Sequence, residues 1–176
     1  MKKFCISILI FTIIILSVVC INFQSNLTTT EYLRIHIRAN SNQEVDQNVK
    51  YKVKDAVVLY LTPGLANCNT KLKAKTFLQN NLNGLERVAN NTLKNSGYNY
   101  TSKAKLTNEE FPTRVYGEFV LEGGYYDALI IYLGDGEGDN WWCVVYPPLC
   151  FVGGNGNFEI RSKIIDLIND FRKRFN

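Results

Sequence analysis

Ala128-Leu129-Ile130-Ile131-Tyr132-Leu133-Gly134-Asp135-Gly136-Glu137-Gly138-Asp139-Asn140-Trp141-Trp142-Cys143-Val144-Val145-Tyr146-Pro147-Pro148-Leu149-Cys150-Phe151 is the stretch on which the fold turns. Ala128 to Leu133 is almost continuously apolar, as a central strand covered on both faces is. Glycines alternating with acids interrupt it, and Trp141 to Tyr146 resumes as a second strand that Pro147-Pro148 ends. Upstream, Arg114 to Leu121 and Tyr125 to Leu133 read as β-rich runs separated by Glu122-Gly123-Gly124, a hairpin signal. Tyr98, Tyr100, Ser102, Ala104 and Leu106 alternate with more polar residues and add a further strand.

Nearer the amino terminus, Leu33, Ile35 and Ile37 alternate with Arg34, His36 and Arg38, the period of a strand with one buried face. Asn40 breaks the pattern, and Ser41-Asn42-Gln43-Glu44 has the spacing of a capping box that starts a helix. Val45, Val49, Val53, Ala56 or Val57, and Tyr60 give that helix an apolar stripe, which Pro63-Gly64 should stop. A second helix is expected from Thr70 to Asn95, with Leu78, Leu82, Leu85, Ala89 and Leu93 on one face and Gly97 at its left-handed end. After Gly153-Gly154, Ile164, Ile165, Ile168, Phe171 and Phe175 fall on one helical face opposite Arg161, Lys163, Arg172 and Lys173. Such a helix suits docking on the domain's own sheet better than lying on an anionic membrane. The expectation is an α+β fold: a largely antiparallel sheet, an antiparallel helix pair packed on one face, and a C-terminal amphipathic helix.

The chain has 176 residues, 46% hydrophobic and 20% charged, which suits one globular domain and excludes general disorder. Residues 4–23 form an apolar run without charge, about 30 Å long as a helix and so able to cross a bilayer. Small residues are poorly placed for cleavage at its end, which favours a retained anchor over a removed signal sequence. Val19 before Cys20 speaks against lipidation there. Lys2 and Lys3 place the amino terminus in the cytosol and the remainder outside. Residues 24–31 read as a tether, and residues 32–176 as a single exported domain. Without the two leading lysines the formal charge of +4 falls to +2, too weak for a nucleic-acid partner.

Cys143 lies on a strand, and Pro147-Pro148 can bring Cys150 back beside it, so a Cys143–Cys150 disulfide and two free buried thiols stand as equal readings. Cys68, between the helices, reads as a free surface thiol. The sole histidine, His36, makes a cysteine hydrolase with Cys143 or Cys150 as nucleophile the enzyme alternative, though no spacing supports it. Asp135, Glu137 and Asp139 suggest calcium at first sight, but the twelve-residue pattern wants glycine and glutamate where Asn140 and Tyr146 stand. The loop also lacks a P-loop lysine, and with a lone histidine no zinc set assembles, so no cofactor or metal is expected.

Two blocks together resemble the stage II sporulation protein R family of endospore-forming bacteria. One is the glycine-acidic loop with Asn140-Trp141-Trp142-Cys143 and Pro147-Pro148-Leu149-Cys150. The other is Leu33 to Ser41 with Asp46-Gln47 and Lys52-Val53-Lys54-Asp55-Ala56-Val57. The resemblance runs from about Leu33 to Phe151. It implies a protein secreted by the forespore into the intermembrane space, where it triggers a membrane-embedded mother-cell protease that processes the sigma-E precursor. It also implies a ligand and not an enzyme. Residues matching the family without an evident core duty are then the candidate partner contacts: Arg34, His36 and Arg38 on the exposed side of the first strand, with Asn40, and Asp135, Glu137, Asp139 and Asn140 in the loop.

Overall fold

The computed structural model describes residues 31–116, 119–151 and 158–175. The expected span and all but the last residue of the expected tether lie outside them, and among the described residues no helix is long and apolar enough to cross a membrane. Glu31–Asn176 forms one compact unit.

The chain runs β1 (Leu33–Arg38), α1 (Glu44–Leu65), α2 (Lys71–Asn95), β2 (Ser102–Phe111), β3 (Arg114–Tyr116), β4 (Phe119–Leu121), β5 (Gly124–Leu133), β6 (Asn140–Tyr146), a single 3-10 turn (Leu149–Phe151) and α3 (Phe158–Phe175). Four strands form the main sheet in the order β2-β5-β1-β6. β2 with β5 and β1 with β6 are antiparallel, while β1 and β5 run parallel at the centre. The two helices supply the crossover that a parallel pair requires.

The sheet is an α+β arrangement with α1 and α2 on one face. Leu33, Ile35 and Ile37 of β1, Leu129, Ile131 and Leu133 of β5, and Cys143 and Val145 of β6 meet Val49, Val53, Val57, Leu61, Leu78, Leu85, Ala89 and Leu93 from the helices. Each of these side chains is removed from water, and full burial of one Val or Leu is worth about 1.5–3 kcal/mol. Ile168 and Phe171 of α3 join the same core, with Phe171 against Tyr32 and Tyr146. Ile165 faces solvent, while the side chains of Ile164 and Phe175 lie outside the described residues.

Several local expectations are corrected. Ser41 and Glu44 do not form a capping box: Gln43 is the N-cap of α1 without a side-chain cap, and the Ser41 hydroxyl accepts from the Gln43 amide and donates to Asp46. Pro63 does not stop α1, which continues to Leu65 because the proline sits in the last turn, where few further backbone bonds depend on its missing N–H. Gly64 and Gly84 serve helix–helix approach, since a Cβ on the first would strike the Phe77 ring and on the second the Tyr60 hydroxyl. Val45 and Tyr60 are exposed; Lys50 and Asp46 take buried places on α1 instead. Thr70 caps α2 by accepting from the Lys73 amide, and Gly97 after the helix has φ +85°.

The strand expected from Tyr98 begins only at Ser102. The Glu122-Gly123-Gly124 hairpin does not form either. β3 and β4 pair with each other in a separate small sheet, and β5 returns along β2 from Phe111↔Gly124 to Ser102↔Leu133. The physical reason is register: the longer β2–β5 ladder leaves Arg114 to Leu121 as an excursion between its strands.

Candidate functional site

Two features converge on the end of the sheet where β1, β5 and β6 meet: the acidic loop of residues 134–139, and the sheet face turned away from the helices.

The loop is fixed through its backbone while its carboxylates face solvent. Gly134 and Gly136 have φ +56° and +66°, which lets the chain reverse tightly after β5. The Asn40 side-chain oxygen accepts from the Asp135 amide at 3.0 Å, and the Asn42 side-chain oxygen accepts from the Asp139 amide at 2.7 Å. The carbonyls of Asn40 and Ala39 accept from the amides of Glu137 and Gly138. Gly138 lies so close to the Ser41 carbonyl that a Cβ would collide with it. Lys50, buried on α1, donates to the Asp139 carbonyl at 2.9 Å and to the Gln47 side chain; burial lowers its pKa, with Asp139 opposing the shift. Asp135, Glu137 and Asp139 are exposed and Asn140 is half-buried.

Asp46 secures the turn beneath. It accepts from Asn40 Nδ2 at 2.9 Å, Ser41 Oγ at 2.7 Å and Tyr100 Oη at 2.7 Å. Burial alone would raise its pKa, but those donors outweigh it and hold the carboxyl below the usual range. The same arrangement raises the Tyr100 pKa, through burial first and then the bond to Asp46. Asn40 is therefore the joint of the site: its amide nitrogen is held by Asp46, which aims its oxygen at the loop.

The second face corrects the expected exposure of β1. Arg34 and His36 are both 0% exposed, and only Arg38, with 31% of its side chain accessible, reaches solvent. Their cover comes from Phe111, Tyr126 and Trp142 and from the β3–β4 hairpin. The Arg34 guanidinium lies 4.3 Å from the Phe111 ring centre and 4.8 Å from that of Tyr126, and donates to the Tyr116 hydroxyl. Stacking on aromatic faces partly offsets the cost of burying this cation. His36 stacks on Trp142, ring centres 4.7 Å apart, and meets Glu109 Oε2 through Nε2 at 3.3 Å. Arg38 donates to the other oxygen of Glu109 at 2.5 Å. Burial drives the His36 pKa down to about 4, against the pull of Glu109, so the ring is neutral near pH 7.

Cys143 and Cys150 are joined as a disulfide with Cα atoms 6.3 Å apart. Cys143 packs with the helix-side core, whereas His36 stacks on Trp142 on the opposite side of the sheet. The cysteine hydrolase arrangement is thus contradicted twice: the candidate thiols are bonded to each other, and β1–β6 alternation turns His36 away from Cys143. Cys68 is buried, not on the surface, and burial raises its thiol pKa. Among the described residues no cluster of His, Cys, Asp and Glu is arranged to hold a metal ion.

Sequence reasoning placed Asn40 and the loop at one site but gave Asp46, Lys50 and Tyr100 no role. A polar Asp46 and Lys50 at core-facing helical positions was the available signal. Glu109 and Phe111 carried none, because their partners lie about seventy residues away in β1.

A family model described as stage II sporulation protein R matches residues 29–155. The protein of that name from Bacillus subtilis strain 168 is 32% identical over 131 residues, which cover 74% of this chain and 58% of the relative's length. No solved structure matches.

Proposed function

From the premise that this chain belongs to the stage II sporulation protein R family, we propose that it is a sporulation signal that acts by binding, outside the cytoplasm, to a membrane-embedded protease of the mother cell. The protease in turn processes the sigma-E precursor, linking forespore and mother-cell gene expression. In this reading the forespore releases the chain into the intermembrane space or holds it at the membrane through residues 4–23.

The observation that carries the reading is the acidic loop, whose carboxylates face solvent while its backbone is pinned at the Asp135, Glu137, Gly138 and Asp139 amides. A loop already ordered loses little conformational freedom on binding, so more of its contact energy survives as affinity. Activation then requires tighter binding to the active state of the protease than to the resting one. A tenfold shift corresponds to about 1.4 kcal/mol of differential binding. Arg38, Asp135, Glu137, Asp139 and Asn140 remain the candidate contacts; Arg34 and His36 support the frame from within, and Asn40 orients the loop.

Co-expression of the full chain with the sporulation protease and its precursor in a non-sporulating host tests the reading. Cleavage that needs both the chain and the protease is expected. Cleavage without the protease, or cleavage indifferent to this chain, would overturn it.

A further inference from the structure

The sheet face opposite the helices is covered, but its buried polar groups are incompletely paired. All the buried side-chain nitrogen and oxygen atoms without a partner among the described residues lie here: three donors, Arg34 Nε, Arg34 Nη1 and Arg38 Nε, with His36 Nδ1 and Asn140 Oδ1. Such atoms are few in folded proteins, and each costs stability when it stays unpaired. The His36 contact to Glu109 uses Nε2, so Nδ1 is the free acceptor of the neutral ring when Nε2 carries the proton.

Cations gather around the same place. Arg38 and Lys105 both lie over the Tyr132 ring, 5.3 and 5.0 Å from its centre, and Arg114 lies 5.8 Å from the Trp142 ring centre. Arg34 lies beneath, and Glu109 pairs with Arg38 and His36, while no ion pair is seen for Lys105 or Arg114 among the described residues. Lys105 and Arg114 are exposed and Trp142 is half-buried, so this end is reachable as it stands. Beside it the hairpin turns out the cross-strand pair Val115 and Val120, 66% and 57% exposed, adding an apolar ridge to the cationic platform.

We propose that this face docks an extended acidic segment of a protein partner, its carboxylates meeting Arg38, Lys105 and Arg114 over the Trp142 and Tyr132 rings. The idea deepens the signalling reading and rests on it for the partner's identity, but the chemistry stands on the face itself. Charge complementarity selects the acidic occupant, which the exposed Lys105 and Arg114 and the partly exposed Arg38 can reach, and the Val115–Val120 ridge beside them suits a peptide better than a simple ion. The acidic loop lies at the end of the same sheet, so the partner would meet both signs side by side, which fixes its direction of docking.

Trp141 and Trp142 are the tryptophans of the chain, so a Trp141→Phe variant of the full chain reports from Trp142 alone. Titrating it with hexaglutamate at low salt should give a saturable fluorescence change, with none from hexalysine. Lys105→Gln with Arg114→Gln, at exposed positions that leave the fold in place, should weaken hexaglutamate binding tenfold or more. No saturable response, or equal binding by the double variant, would overturn the proposal. The titration contains no protease, so its failure is separate from any failure of chain-dependent precursor cleavage.

Discussion

Replacing Asp46 by alanine removes the acceptor on which the Asn40 turn hangs. The carboxylate, 5% exposed, takes hydrogen bonds from Asn40, Ser41 and Tyr100. A bond to a charged group is worth about 1.5–3 kcal/mol, and the freed donors would be left partly buried. The three share one acceptor and do not add in full, so the expected loss is about 3–5 kcal/mol, a large part of a typical domain's stability. With a urea slope of about 2 kcal/mol per molar, the unfolding midpoint should drop by about 1.5–2.5 M. Asp46→Asn keeps the shape but turns one acceptor into a donor, and should lose about half as much. The local consequence distinguishes this account from general loosening: under native conditions the Asp135, Glu137 and Gly138 amides should exchange with solvent at least tenfold faster in Asp46→Ala, because Asn40 is no longer aimed at the loop. A midpoint unchanged from the parent, with those amides equally protected, would refute the reasoning.

Acid should act in two stages. The sole histidine, His36, has its pKa lowered to about 4 by burial, so below its unfolded value of about 6.5 the unfolded chain binds a proton that the folded chain does not. Stability should therefore fall by up to about 3 kcal/mol between pH 6.5 and 4, and His36→Phe should flatten that slope in equilibrium unfolding; an unchanged slope would exclude His36 as its source. The Asp46 contribution has the opposite origin: its depressed pKa gives stability present above the unfolded carboxyl value near 3.9 and lost as pH falls through the lower folded value, a stage absent from Asp46→Asn. Cys143→Ser with Cys150→Ser opens a loop of sequence separation 7 and should lower stability by about 2.5 kcal/mol on the chain-entropy model, measured by urea unfolding against the oxidised parent; an unchanged midpoint would count against that figure.

Much of the architecture was legible because long periodic segments declare themselves. The β1 alternation, the apolar run of β5 and the stripe of α2 each state which side is buried. What alternation does not state is whether the other side is covered as well. Arg34 and His36 looked exposed because polar residues alternating with Leu33, Ile35 and Ile37 usually face water. Their cover is supplied by Phe111, Tyr126, Trp142 and a small hairpin, all remote in sequence. The parallel pairing of β1 with β5 was hidden for the same reason: it depends on the crossover through two helices, not on either strand's own residues. At the site, glycine spacing exposed the loop, while the anchoring contribution of Asp46 waited on the spatial meeting of Asn40, Ser41 and Tyr100.

The most direct test of signalling through the pinned loop is precursor cleavage by a chain carrying Asp135→Asn, Glu137→Gln and Asp139→Asn together. The loop is held through backbone amides, so the triple variant should accumulate to normal levels and keep the parent's urea midpoint. Cleavage should fall at least tenfold, equivalent to about 1.4 kcal/mol of lost differential binding. Full cleavage by the folded triple variant would contradict the account.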